Sequence, residues 1–256
     1  TTSSQNPTIS QLQPVRDNSN PNFINIGNPN LLPTFMHSLN FNFNSWKSIS
    51  GKYTWMGLTY NYTNNDIAKA TAYDSIGRTL SQAINVNGNY SVNSYIGTSM
   101  PFFSKKLEVG PNLSSSYTNS KSYINNFANN TQDFRSNLAL DFRLNLEKFN
   151  AGISGYYSYN SAYSTLNTTS SRPYSTQGVS GNISAKLPKN FLLESNADYT
   201  INSNRSSGYN INYLVWNASF SKTFFKKENF ILGAYAYDIL NQNISVDRDI
   251  SSNVIT

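Results

Sequence analysis

The amino-acid sequence predicts an all-β chain, an antiparallel up-and-down transmembrane β-barrel wall of about ten strands, and three observations predict it. The first is a two-residue alternation, clearest from Phe134 to Phe149 (FRSNLALDFRLNLEKF). Phe134, Leu138, Leu140, Phe142, Leu144 and Leu146 fall on one parity, and Arg135, Asn137, Asp141, Arg143, Asn145 and Glu147 on the other. Successive side chains of a strand point to opposite faces, so the run presents an apolar stripe on one side and a hydrogen-bonding stripe on the other. It is also long enough to cross a bilayer at a tilt, which takes about 9–11 residues. The second observation is that such runs are joined alternately by a tight turn and a long loop, as in a membrane meander, whereas a soluble sandwich crosses over in Greek keys. The third is the placing of charge. Ten of the twelve lysines (Lys47, Lys52, Lys105, Lys106, Lys148, Lys186, Lys189, Lys222, Lys226 and Lys227) lie in or beside the tight turns, leaving Lys69 and Lys121 elsewhere. A lysine at a membrane edge keeps its stem in apolar surroundings and its ammonium among headgroups.

Composition agrees with this reading. The 256 residues suit one large all-β domain or two smaller ones. Charged residues make up 12%, about half the usual share, while aromatics reach 14% and Asn and Ser fill the polar positions. Low-complexity segments share that composition, but their apolar residues need not be periodic as these are. The absence of cysteine excludes a disulfide framework, a thiolate metal site and a cysteine nucleophile. No apolar run approaches the ~18–20 residues of a membrane helix and the mean hydropathy is −0.48, which excludes a helical membrane protein. It leaves a barrel open, because barrel strands are only half apolar. The start, TTSSQNPTIS, has no signal-peptide pattern, so an exported protein would be represented here by a mature or internal piece.

The elements follow in order. Residues 1–35 are rich in Asn and Pro without periodicity and read as an irregular extracellular loop segment; residues 36–256 read as the partial barrel domain. Leu39, Phe41 and Phe43 begin the alternation, which turns at Ser48–Lys52 and resumes with Met56, Leu58, Tyr60 and Tyr62. A polar insertion, Ile67 to Asn87, has a hairpin tip at Asp74–Arg78. Gly88–Phe102 and Leu107–Tyr123 make the next pair, with Pro111 requiring a bulge or a non-bonded position. A loop over Asn125–Asp133 leads into the run from Phe134. Then come Ala151 to Tyr159, a loop over Ser164–Thr176, Val179 to Leu187, Phe191 to Ile201, a loop through Arg205 and Gly208, and Leu214 to Phe220. The last strand, Phe230 to Tyr237, is aromatic on both faces, so its sides stay open.

No catalytic, cofactor or metal constellation is present in the sequence. His37 is the lone histidine and reads as a loop-to-strand residue, which leaves no Ser-His-Asp arrangement and no histidine metal pair. Gly51-Lys52 lacks the spacing of a phosphate loop, and Asp17-Asn18-Ser19-Asn20 lacks the central Gly and closing Glu of a calcium loop. Asp141 and Asp198 are a conceivable acid–base pair, but luminal carboxylates facing Arg135 or Arg143 are more often structural. The net charge of +6 is spread over turns rather than gathered on one element, so nucleic acid is not expected as a partner.

Two segments carry a family resemblance. Gly27-Asn28-Pro29-Asn30-Leu31-Leu32-Pro33, within residues 6–40, resembles the Gly-Asn-Pro-x-Leu-x-Pro core that precedes a strand in TonB-dependent outer-membrane receptors of Bacteroidetes type. Tyr237-Asp238-Ile239-Leu240-Asn241-Gln242-Asn243 is similar to a signature near the end of the same barrels, and Gly77-Arg78 and Asn85-Val86-Asn87-Gly88 also fit. The resemblance implies a Gram-negative outer-membrane barrel of about 22 strands, of which this chain would be roughly the second half. A plug domain, its TonB-contacting box and the first half of the barrel have no counterpart here. It further implies active uptake of a nutrient such as a glycan, peptide or siderophore, with TonB, membrane lipids and a surface lipoprotein or larger complex as partners. The alternative is a barrel subunit of a secretion or assembly complex. On this reading Arg78, Arg172 and Arg205, with Tyr73, Tyr174 and Tyr209, are candidate substrate contacts on the loops. Arg135, Asp141 and Arg143 face the lumen and plug, while Gly27, Asn28, Pro29, Leu31 and Pro33 are a structural motif.

Overall fold

The computed structural model describes residues 1–166, 173–205, 210–225 and 230–243, apart from the side chains of 17–19. Arg172, Tyr209, Lys226, Lys227, Arg248 and the side chains of the calcium-like Asp17–Ser19 run therefore lie outside the described residues. The described residues fold into one sheet of fifteen strands. They are β1 (Thr2–Gln5), β2 (Arg16–Asn20), β3 (Phe23–Ile26), β4 (Thr34–Trp46), β5 (Tyr53–Asn64), β6 (Asp66–Tyr73), β7 (Thr79–Val86), β8 (Asn89–Phe102), β9 (Leu107–Ile124), β10 (Phe127–Asn145), β11 (Phe149–Ser164), β12 (Tyr174–Leu187), β13 (Phe191–Ser203), β14 (Asn212–Phe224) and β15 (Phe230–Ala236), with a one-turn helix at Ile9–Leu12.

The wall runs β4-β5-β8-β9-β10-β11-β12-β13-β14-β15, ten strands paired antiparallel as the alternation predicts. Register turns the alternation into two faces. Phe43, Met56, Ile96, Leu113, Leu138 and Tyr157 form one row across six strands, and Leu140, Gly155, Val179, Tyr199 and Leu214 another. The opposite face carries Asn40, Thr59, Asn93, Ser116, Arg135 and Asn160 in a single row. A one-residue slip anywhere would exchange the faces, so the pattern fixes the register.

Among the described residues nothing covers the apolar face. Leu138, Ile153 and Val179 are 52%, 58% and 53% exposed, and the surface totals 16724 Å², against about 11,000 Å² for a soluble monomer of this mass. At roughly 25 cal/mol per Å² such a face is costly in water and costs nothing in hydrocarbon. Aromatic side chains cluster at its two borders. Tyr60, Tyr90 and Tyr117 step across the long-loop border at 5.8–6.3 Å with Phe134 and Tyr159 beside them, and Phe191 stacks on Phe220 at the tight-turn border. From Phe134 to Leu146 the strand rises about 40 Å, or about 30 Å along the membrane normal at the usual tilt, which matches a hydrocarbon core.

Several boundaries differ from the sequence reading. Residues 1–35 are not irregular: they hold β1, the helical turn and the β2–β3 hairpin. The expected loop Asn125–Asp133 is strand, because Asn125 and Asn126 alone make the turn, both at positive φ (50° and 67°), the conformation a two-residue hairpin needs. Pro111 causes no bulge. The β8–β9 ladder skips Thr98–Ser99 opposite Gly110–Pro111 and resumes in the same register, so the missing N–H faces a gap in the ladder. In β15, Phe230 and Leu232 pair with Phe224 and Lys222 and so share the lipid-side parity.

At the long-loop end the sheet continues upward as a second tier. β9 and β10, 18 and 19 residues long, overrun their neighbours, and β6 pairs parallel with the overhang at Ala70–Tyr123 and Thr71–Ile124. The β6–β7 hairpin, β3 parallel to β7, and β2 complete it. All three buried apolar residues among those described, Ile24, Leu31 and Val86, lie in or beside this tier. The tier therefore has the conventional core that the wall lacks. Among the described residues the sheet is open: β15 has one unpaired edge, and β1 covers only Thr34–His37 of β4.

Candidate functional site

The long-loop end and the polar face of the wall are where a solute or a second domain would meet this chain. Asparagine builds both, since its side chain donates and accepts in one group and can close a loop without charge. Asn85 Nδ2 donates to the carbonyls of Leu32 (3.0 Å) and Asn65 (2.7 Å), while its Oδ1 accepts from the Leu32 N–H (2.8 Å). Asn125 ties the β9–β10 turn to β6 by accepting from the Tyr73 N–H (2.9 Å). Asn129, 1% exposed, gathers the Ser164 and Thr165 hydroxyls and the Leu166 N–H on its Oδ1. Asn85 lies in the Asn85–Gly88 run that fits the resemblance, whereas Asn125 and Asn129 do not stand out in a sequence where Asn is common throughout.

The Gly-Asn-Pro motif sits inside the tier. The Asn28 N–H donates to Gln11 O (2.6 Å), its Nδ2 donates to Ala83 O (3.0 Å), and its Oδ1 accepts from the Asn30 N–H (3.0 Å). A Cβ on Gly27 would lie 1.9 Å from Gln13 O, so only glycine fits. Leu31 is buried, and Pro29 and Pro33 flank the short stretch that leads into β4.

The loop residues divide into two groups. Tyr73 ends β6 and is exposed, and Arg78 is the last residue of the turn before β7. Arg78 Nε donates to Asp74 Oδ2 at 2.6 Å, and Asp74 Oδ1 accepts from the Ile76 and Arg78 N–H groups. Arg78 thus clamps its own hairpin tip, and its hydrogen bond holds the Asp74 carboxyl below the ordinary value of 3.8. Arg205 and Tyr174 do meet, the guanidinium lying 5.2 Å above the ring centroid and donating to Thr176 Oγ1 at 3.1 Å. Arg172 and Tyr209 lie outside the described residues.

On the polar face, Asp141 accepts from the Ser154 hydroxyl of β11 and from Asn112 Nδ2 of β9. Arg143 reaches Glu108 Oε1 at 3.5 Å, and Arg135 pairs with Asp133 at 2.9 Å. Asp198 shares a row with Asp141 through Ser154 and Ser180, three strands away, so roughly 14 Å separates them and no acid–base pair forms. Aromatic side chains lie over glycines of the next strand: Tyr95 over Gly57, Trp55 over Gly97 and Tyr156 over Gly178. Tyr95 also donates to Asn42 Oδ1 (2.9 Å), two strands over. Glycines inside strand runs were the available signal for these close approaches. Among the described residues no group of His, Cys, Asp or Glu could hold a metal.

These two faces, one lipid-like and one wet, agree with the comparisons. A family model described as "Outer membrane protein beta-barrel family" matches residues 2–149 and 146–256, nearly the whole chain. The chain belongs to the outer membrane protein beta-barrel family. No curated protein and no solved structure matches it. Membership places this β-barrel chain in the outer membrane with several spanning strands, and the register gives it an apolar set of rows suited to lipid and an Asn-rich set on the other face. In such barrels short turns usually face the periplasm and long loops the outside.

Proposed function

We propose that this chain is wall and extracellular face of a TonB-dependent transporter for energised uptake of a nutrient. The observation that carries the reading is the tier. Its Gly27–Pro33 segment, the stretch with the family resemblance, ties the helical turn to β7 within the tier through Asn28, Gln11 and Ala83, and the tier meets the wall where β6 pairs with the β9 overhang. The polar face beneath it, with Asp141, Arg143 and the Tyr–Gly pairs, is suited to a plug domain, and lipid, TonB and a surface lipoprotein are the partners this entails. It acts without catalysis, the Arg205–Tyr174 pair and Tyr73 serving as substrate contacts. The test is accumulation of labelled nutrient by cells expressing the protein, with and without the proton gradient. Uptake should need both the protein and the gradient. Gradient-independent uptake, or a full polypeptide without a plug, would favour the barrel subunit of a secretion or assembly complex.

A further inference from the structure

Lys222 carries a charge onto the apolar face of the wall. Lys222 pairs with Phe191 on one side and Leu232 on the other, and it shares parity with Phe220 and Trp216, all on the lipid-facing rows. Its Nζ lies 4.8 Å from the Phe191 centroid and 4.8 Å from that of Phe224, with Phe220 stacked on Phe191 at 5.1 Å. Ring faces attract an ammonium but accept no full hydrogen bond, and an ammonium has three donors. Among the described residues no carboxylate pairs with Lys222; the three ion pairs are made by Arg78, Arg135 and Arg143. A charge on a surface meeting hydrocarbon is costly unless it is paired or reaches the headgroup level. Lys222 is two residues from the end of β14, at the tight-turn border, so the headgroup level is within reach. Lys189, in the adjoining Pro188–Asn190 turn, adds positive potential beside it.

We propose that Lys222, held between Phe191 and Phe224 on the lipid-facing wall, binds the phosphate of an anionic phospholipid in the periplasmic leaflet. The rings fix the ammonium and shield one side of it, Lys189 supplies the second charge, and the acyl chains lie along Phe220, Leu193 and Ala218. An anionic headgroup is chosen over a zwitterionic one because two neighbouring lysines leave net positive charge after a single phosphate is neutralised.

The test is native mass spectrometry of the protein purified from outer membranes in detergent, with dioleoyl phosphatidylglycerol or dioleoyl phosphatidylethanolamine added. Phosphatidylglycerol adducts should dominate and should fall about fivefold in Lys222→Gln, the contribution of one basic side chain at an anionic surface. Lys222→Arg should restore them, and Lys47→Gln, in a distant turn, should leave them unchanged. Equal retention of the two lipids, unchanged adducts in Lys222→Gln, or an equal loss in Lys47→Gln would each overturn the proposal. Heat-dependent gel mobility of every variant confirms that the barrel is intact before adducts are counted.

Discussion

Asp74 shows how a single residue holds the extracellular tip. Its carboxylate takes the Arg78 side chain and two backbone N–H groups, and the result is a depressed pKa. A carboxyl whose folded pKa is depressed stabilises the fold above its unfolded pKa and loses that contribution as pH falls through the folded one. Exchange protection of the Ile76 and Arg78 amides, corrected for intrinsic rates, should therefore hold at neutral pH and collapse only below about pH 3.8. Asp74→Asn should weaken it at pH 7 and abolish the acid step. The hairpin tip itself was legible in the sequence as DSIGR, but the role of Arg78 was not. An arginine in an exposed loop reads as a ligand contact or as a solvated side chain, and the 2.6 Å contact with Asp74, which ties it to its own hairpin, is visible only in the structure. Asn125 and Asn129 were hidden for a related reason, since the Tyr73 and Leu166 N–H groups and the Ser164 and Thr165 hydroxyls they bind are brought to them only by the fold.

The strands were the most legible elements. From Phe134 to Phe149 parity alone sorted lipid side from wet side, and Leu140 and Asp141 sit in the rows it assigns. Leu140→Arg should destabilise the barrel by about 2–4 kcal/mol in denaturant unfolding from lipid bilayers, the cost of an arginine near the midplane. Asn137→Lys, on the neighbouring wet row, should cost less than about 1 kcal/mol. Equal costs for the two would remove the assignment of faces. What parity misses is where a strand leaves the membrane, because Asn130 to Asp133 alternate no differently from a polar loop, and only their pairing with Lys121 to Thr118 reveals them as strand. That ladder begins with Phe127 against Ile124 and is held by the two-residue turn between them. The four-residue strands β1 and β3 were missed because neither is long enough to show a period, and β3 owes its place to a parallel partner far along the chain.

At the scale of the whole molecule, an antiparallel wall with one apolar face is what the alternation, the turn lengths and the lysine placement foretold in outline. The tier was not foretold, since parallel pairing of β6 with β9 and β3 with β7 brings together segments that share no sequence signal. The complete protein in its membrane should resist unfolding in dodecyl sulphate and change gel mobility only after boiling; identical mobility of boiled and unboiled samples would contradict a closed barrel. The placement of charge also bears on biogenesis. If the short turns stay in the periplasm, the tier is the leading end that must traverse the bilayer during insertion, and each lysine carried through the midplane would add roughly 2–4 kcal/mol to the barrier. Ten of twelve lysines remain with the trailing turns. At the leading end Arg78 and Arg135 travel with Asp74 and Asp133 as neutral pairs, and uncharged amides do the joining. The asparagine-rich composition is thus a solution to passage as much as to architecture: it lets a folded extracellular platform be delivered through oil.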